Sequence, residues 1–154
     1  MKRVNKRGQF YLVAAMIIVA IVIGIASFSN YTNQRTSQHV YDLGQELGIE
    51  SANILDYGTM NGSNTTELLE NFTDSFEQYA GENVELYFII GNENNIQAYR
   101  YINREKEEVD FAHGEGDITI KVDSNDYKFK LASGENFYFV ISQEVGGEKY
   151  VATN

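Results

Sequence analysis

The sequence predicts an α+β protein: an N-terminal transmembrane helix continuing into an amphipathic helix, then a second helix, then an antiparallel β-sheet meander. Three observations carry this. An uncharged apolar run of 19 residues, 10–28, follows a basic start. Two stretches beyond it repeat apolar residues every three to four positions, and from Asn83 the repeat changes to two. The divisions that follow are a basic cytoplasmic leader 1–8, a membrane helix 9–29, a helical stalk with a second helix 30–82, and a sheet 83–154. Residues 30–154 form one ectodomain.

The membrane helix is the firmest element. Lys2, Arg3, Lys6 and Arg7 precede it, and no further charge appears before Arg35. At about 1.5 Å per helical residue the run spans roughly 28 Å, close to the hydrocarbon thickness of a bilayer. It is apolar on every side, the pattern of a helix surrounded by lipid and not of one half-buried in a core. The side chains expected to meet lipid or another helix are Phe10, Tyr11, Leu12, Val13, Ile17, Ile18, Ile21, Ile23 and Ile25. The basic end is expected in the cytoplasm and the acidic remainder outside, as a single-pass protein of the cell membrane. Three fates of the stretch are open on the residues alone. It is a plain uncleaved anchor, a secretory signal cut after Ala26 at Gly24-Ile25-Ala26, or a segment cut on its cytoplasmic side.

Composition narrows the partners. Beyond Arg7 there are eight basic residues against 22 acidic ones, and the whole chain carries a net charge of -10. Such a surface repels nucleic acid and anionic lipid, so no nucleic-acid partner is expected. Without cysteine there is neither a disulfide nor a thiolate nucleophile. Without proline the turns rest on Gly, Asn and Asp, and 11 Tyr with 9 Phe supply the bulky packing. Roughly 125 residues beyond the apolar run are enough for one domain with its own core.

The next elements follow in order. Residues 29–38 are polar on every side, an emerging helix or a short stalk. Val40, Leu43, Leu47, Ile54 and Leu55 recur at helical spacing against Asp42, Glu46 and Glu50, which predicts an amphipathic helix over 38–57. Gly44 and Gly48 weaken it by about 1 kcal/mol each against Ala, as a tolerated weak helix or kink or as places where another backbone comes close. Residues 58–63 break the pattern, and Asn64 with Glu67 forms a capping-box arrangement for a second helix. That helix presents Leu68, Leu69, Phe72, Phe76, Tyr79 and Ala80 on one face and ends at Gly81.

In the sheet region, Val84, Leu86, Phe88 and Ile90 alternate with Glu85, Tyr87 and Ile89, and 96–102 is the return strand of a hairpin. Residues 103–108 read as a charged, solvated connection and 109–111 as a short edge strand. Further strands centre on Ile118, Ile120 and Val122, on Tyr127, Phe129 and Leu131, on Phe137, Phe139 and Ile141, and on 149–152. The expected product is a meander of about five to seven strands whose apolar face is covered by the two helices.

No catalytic residue, metal site or cofactor is assigned, and no enzymatic activity is expected. Asp110, His113, Glu115 and Asp117 are the one cluster of metal-ligand types, and they surround a Gly-rich turn. Such single-loop clusters are ordinarily polar turns. Residues 123–126 lack the spacing of a calcium loop. Neither His39 nor His113 stands beside a nucleophile elbow, and no Gly loop with Lys cradles a phosphate. The more informative motifs are sequons: Asn61, Asn64 and Asn71 each begin N-x-Ser/Thr, as does Asn30 close to the apolar run. Asn61 is the better glycosylation candidate, since Asn64 is engaged as a cap and Asn71 lies on the second helix.

One short motif adds a family. Lys6-Arg7-Gly8-Gln9, followed at once by the unbroken apolar run, resembles the class III signal of archaeal type IV pilin-like proteins. The resemblance covers about the first 30 residues. It implies cleavage by a prepilin peptidase between Gly8 and Gln9, and retention of the apolar helix as the assembly helix of a filament. It also implies a long helix running from membrane into head, and pilin-like subunits, the same or different, as partners. Many members carry Glu at the fifth mature position. Here that position is Val13, and some archaeal members share the lack.

The leading expectation is therefore a cell-surface, pilin-like subunit of a filament or minor pilus complex. The alternatives are a non-polymerising, membrane-anchored binding protein and a secreted domain released after Ala26. For the binding protein, Tyr99 and Tyr101 share a strand face and are the examples of aromatic contacts, with ordinary sheet packing as the competing role.

Overall fold

The computed structural model describes residues 6–81 and 83–154, with side chains described for 16–23, 38–81 and 83–154. The chain divides into two compact units, Met1–Ser37 and Gln38–Asn154. Helix α1 (Lys6–Asn61) supplies the described backbone of the first unit and opens the second.

Among the described residues no helix is long and apolar enough to cross a membrane. Within the apolar run, side chains are described only for 16–23, and eight helical residues cover about 12 Å against a hydrocarbon core of about 30 Å. The rest of the expected span lies outside the residues whose side chains are described.

In the second unit the spacing of Val40, Leu43 and Leu47 turns one stripe of α1 inward, and all three are buried. Ile54 and Leu55 pack against the same core from later turns. Helix α2 (Thr65–Ala80) begins as its sequence predicts. Asn64 is extended, and its side-chain oxygen accepts from the Glu67 amide at 3.4 Å. Gly81 ends the helix at φ +87°, a conformation that favours glycine. The buried face is Leu69, Thr73, Phe76 and Ala80. Tyr79, expected on that face, is instead 62% exposed, because one step from Ala80 turns the side chain about 100° round the helix.

Among the described residues eight strands follow: β1 (Val84–Asn92), β2 (Asn95–Ile102), β3 (Glu105–Glu108), β4 (Phe111–His113), β5 (Asp117–Val122), β6 (Asn125–Lys130), β7 (Asn136–Val145) and β8 (Glu148–Thr153). All pairings are antiparallel, as expected, but they do not form one meander. A five-stranded sheet has the order β3-β2-β1-β7-β8, and β4-β5-β6 form a separate three-stranded sheet. Strand β7 returns to lie beside β1, with Phe88 opposite both Tyr99 and Phe139.

The reason is visible in β1. Leu86, Phe88 and Ile90 join the helices in one core, together with Phe137, Phe139 and Ile141 of β7. Tyr87 and Ile89 point the other way and join Val140 in a second core with Ile118, Ile120, Val122 and Phe129. Strands apolar on both faces need two covers. The helices provide one and the small sheet the other, giving three layers where a one-sided cover was expected. The charged connection at 103–108 is likewise corrected: its second part is strand β3, paired with β2 and exposed throughout. A strand made of Glu and Lys has no apolar period to reveal it, and its charge suits a sheet edge.

Candidate interaction surfaces

In the first unit, residues 16–23 present seven large apolar side chains, each between 55% and 64% exposed. Successive helical residues step by about 100°, so this stretch exposes apolar surface in every direction. Burying one such side chain is worth about 1.5–3 kcal/mol, so leaving seven in water forgoes on the order of 10 kcal/mol. Ile17, Ile18, Ile21 and Ile23 of the expected assembly helix lie here. Phe10, Tyr11, Leu12, Val13 and Ile25, and the expected processing pair Gly8 and Gln9, lie outside the residues whose side chains are described, and Met1 to Asn5 of the leader lie outside the described residues altogether.

In the second unit, a groove of about 610 Å³ runs between α1 and β8. Its helix wall holds Tyr41, Gln45 and Ile49, and its sheet wall holds Phe139, Val151 and Thr153. The helix comes close because residue 44 is glycine: a Cβ there would stand 2.9 Å from Ala152 Cβ. Gly48, one turn on, has open space around it. Strand β8 is an edge of the five-stranded sheet, and its ladder is prolonged by a side chain. The Asn154 amide donates to the Phe137 carbonyl at 3.0 Å, and its oxygen accepts from the Phe139 amide at 3.0 Å. Sequence reasoning did not single out this groove. Its signal is the pairing of exposed Tyr41 and Ile49, eight residues apart, with an edge strand whose last four residues, Tyr150 to Thr153, carry no charge.

Tyr99 and Tyr101 belong to the packed structure. Tyr101 is 4% exposed and Tyr99 packs against the helix-side core. The Tyr101 hydroxyl donates to Asp74 and lies 3.2 Å from the Thr73 hydroxyl. The Tyr99 hydroxyl donates to Glu70 at 3.2 Å. Lys106 of β3 closes the group, 4.2 Å from the Tyr99 ring centroid and 3.5 Å from Asp74. Burial first, then the Glu70 carboxylate, pushes the Tyr99 hydroxyl up to about 12. Burial and the hydrogen bond to Asp74 raise Tyr101 further. Period two did place both on one face, but α2 lies over that face.

The sequons reach three different settings. Asn61 is the last residue of α1 and is exposed, Asn64 caps α2, and Asn71 is exposed in the middle of α2. Among the described residues no three His, Asp or Glu side chains are arranged to hold a metal ion. In the cluster at 110–117, Asp117 pairs with Lys128 at 2.7 Å, and its carbonyl accepts from the Gly114 amide at 2.9 Å. No protein-family model matches the chain, and no curated protein or solved structure matches it.

Proposed function

We propose that the chain is a pilin-like cell-surface subunit, cleaved between Gly8 and Gln9 by a prepilin peptidase and assembled through its apolar N-terminal helix into a filament or minor pilus complex. The observation that carries this reading is Lys6-Arg7-Gly8-Gln9 set directly before an uncharged apolar run of 19 residues. Exposure of every described side chain in 16–23 supports it, since such a helix demands an apolar surround. In the membrane that surround is lipid; in an assembly it is the same helix of neighbouring subunits, held by close packing. An ectodomain carrying all 22 acids stays soluble outside the membrane, with the basic leader inside.

Intact mass and N-terminal sequencing of protein made beside an archaeal prepilin peptidase test the reading. A mature start at Gln9, with high-mass assemblies in sheared supernatant, is the expected result. A start at Met1 overturns processing and leaves an anchored, non-polymerising surface protein. Val13, standing where many pilins carry Glu, weighs against the role of major filament subunit. A start at Ser27 makes the product a secreted domain.

A further inference from the structure

We infer that the fold leaves one of the three sequons in 61–73 open to N-glycosylation: a transferase reaches Asn61 in the folded protein, while Asn64 and Asn71 are closed. The inference rests on the reading that Gln38–Asn154 lies outside the membrane. The donor class is a lipid-linked oligosaccharide.

The motif requires an amide and, two residues on, a hydroxyl, so the enzyme must reach both. At Asn71 it reaches only the amide. Two residues along a helix turn the side chain about 200°. Asn71 therefore faces solvent while Thr73 is 0% exposed. The Thr73 hydroxyl donates to the Glu70 carbonyl at 2.8 Å. Phe72, between them, packs against the core. Offering both groups together means unwinding a turn of α2. At Asn64 the side-chain oxygen is the helix cap, Thr65 and Thr66 are already helical, and the Thr66 hydroxyl donates to the Glu135 carboxylate.

Asn61 differs on each count. Gly62 follows at φ +61°, and Ser63 stands between the helices. All three residues are exposed. The Ser63 amide donates to the Gly58 carbonyl at 3.1 Å, which fixes the turn through the backbone. The Asn61 amide donates one hydrogen to the Tyr57 carbonyl at 2.9 Å and keeps a second for exchange. In the transfer, Nδ2 bonds to the sugar C1 as the bond from C1 to the lipid phosphate oxygen breaks. The phosphate leaves with the electron pair, and the amide proton passes to a base of the enzyme. One N–H remains on Nδ2 as a donor for the Tyr57 carbonyl.

The test uses full-length protein in detergent, incubated with transferase-bearing membranes and lipid-linked oligosaccharide, with site occupancy read by peptide mass spectrometry. Free peptides 58–66 and 68–76 are run in parallel. Expected results are sugar on Asn61, loss of it in Ser63→Ala, and transfer to Asn71 at least about a hundredfold slower in the folded chain than in peptide 68–76, because it waits on local opening. Sugar on Asn71 or Asn64 of the folded chain at the peptide rate overturns the inference. So does an unmodified Asn61, or a peptide 68–76 no better than the folded chain. Purified protein reports the site wherever the chain resides, so failure here is distinct from failure of N-terminal processing.

Discussion

Residues 16–23 and 40–55 are both helical and both rich in Ile, Leu and Val, yet they meet opposite surroundings. In the first stretch every residue is apolar and every residue is exposed. In the second, Val40, Leu43 and Leu47 are buried while Asp42, Gln45 and Glu46 between them face water. The difference lies in what interrupts the apolar residues. Polar residues at helical intervals give a helix an inside and an outside, so one layer of sheet can satisfy it. An uninterrupted run has no outside, so nothing smaller than a surround of lipid or of other helices can satisfy it.

Charge placed in the first stretch has the largest expected effect. Ile18→Arg with Val22→Arg is expected to cost about 6 kcal/mol of membrane insertion. The protein should move from the membrane pellet to the soluble or aggregated fraction while the urea midpoint of the head stays in place. Retention in the membrane would break the argument for the run. In the second stretch the converse holds. Leu47→Ala removes a fully buried side chain and should lower head stability by about 3 kcal/mol in urea unfolding, with membrane retention unaltered.

Substitutions at the two helix glycines have smaller expected effects. Gly44→Ala puts a Cβ against Ala152 with no flexible side chain to yield, and should destabilise the head by about 1–2 kcal/mol. Gly48→Ala meets open space and should stabilise it by about 0.5–1 kcal/mol through helix propensity. Equal effects in thermal melts would mean that the approach of α1 to β8 does not set residue 44.

The last prediction concerns pH. The Tyr99 and Tyr101 hydroxyls are raised from 10.0 in the folded protein, chiefly by burial, so the unfolded chain gives up these protons first. Their stabilising contribution is present below pH 10 and is lost as pH climbs through about 12, the folded value of Tyr99. Urea midpoints should fall over that window, and Tyr99→Phe should make the fall shallower. An unchanged slope would remove Tyr99 as a cause.

Much of the fold is legible along the chain because local rules govern it. The cap at Asn64, the stop at Gly81, the inward stripe of α1 and the period of two in β1 each depend on neighbours within a few residues. Strand β3 escaped because Glu and Lys carry no apolar period. Tyr79 was misplaced because it borders the buried face of α2 without belonging to it. The sequons were legible as motifs, with Asn61 ranked first, but the contacts that hold the Thr73 and Thr66 hydroxyls were not, since they come from Tyr101 and Glu135, far along the chain.

Local pattern along the chain therefore set the two helices of the head and most of the strands in order, the acidic balance beyond Arg7, and a 19-residue stretch that needs apolar company. Long-range packing set which strands pair and what covers them. Strand β7 lies beside β1, β4-β5-β6 separate into their own sheet, and α1 settles against β8 at Gly44. The physical reason is that pairing partners compete over long range. Tyr87, Ile89 and Val140 put apolar surface on the second face of the large sheet, and only a distant segment with a matching apolar face, Ile118, Ile120 and Phe129, removes that surface from water.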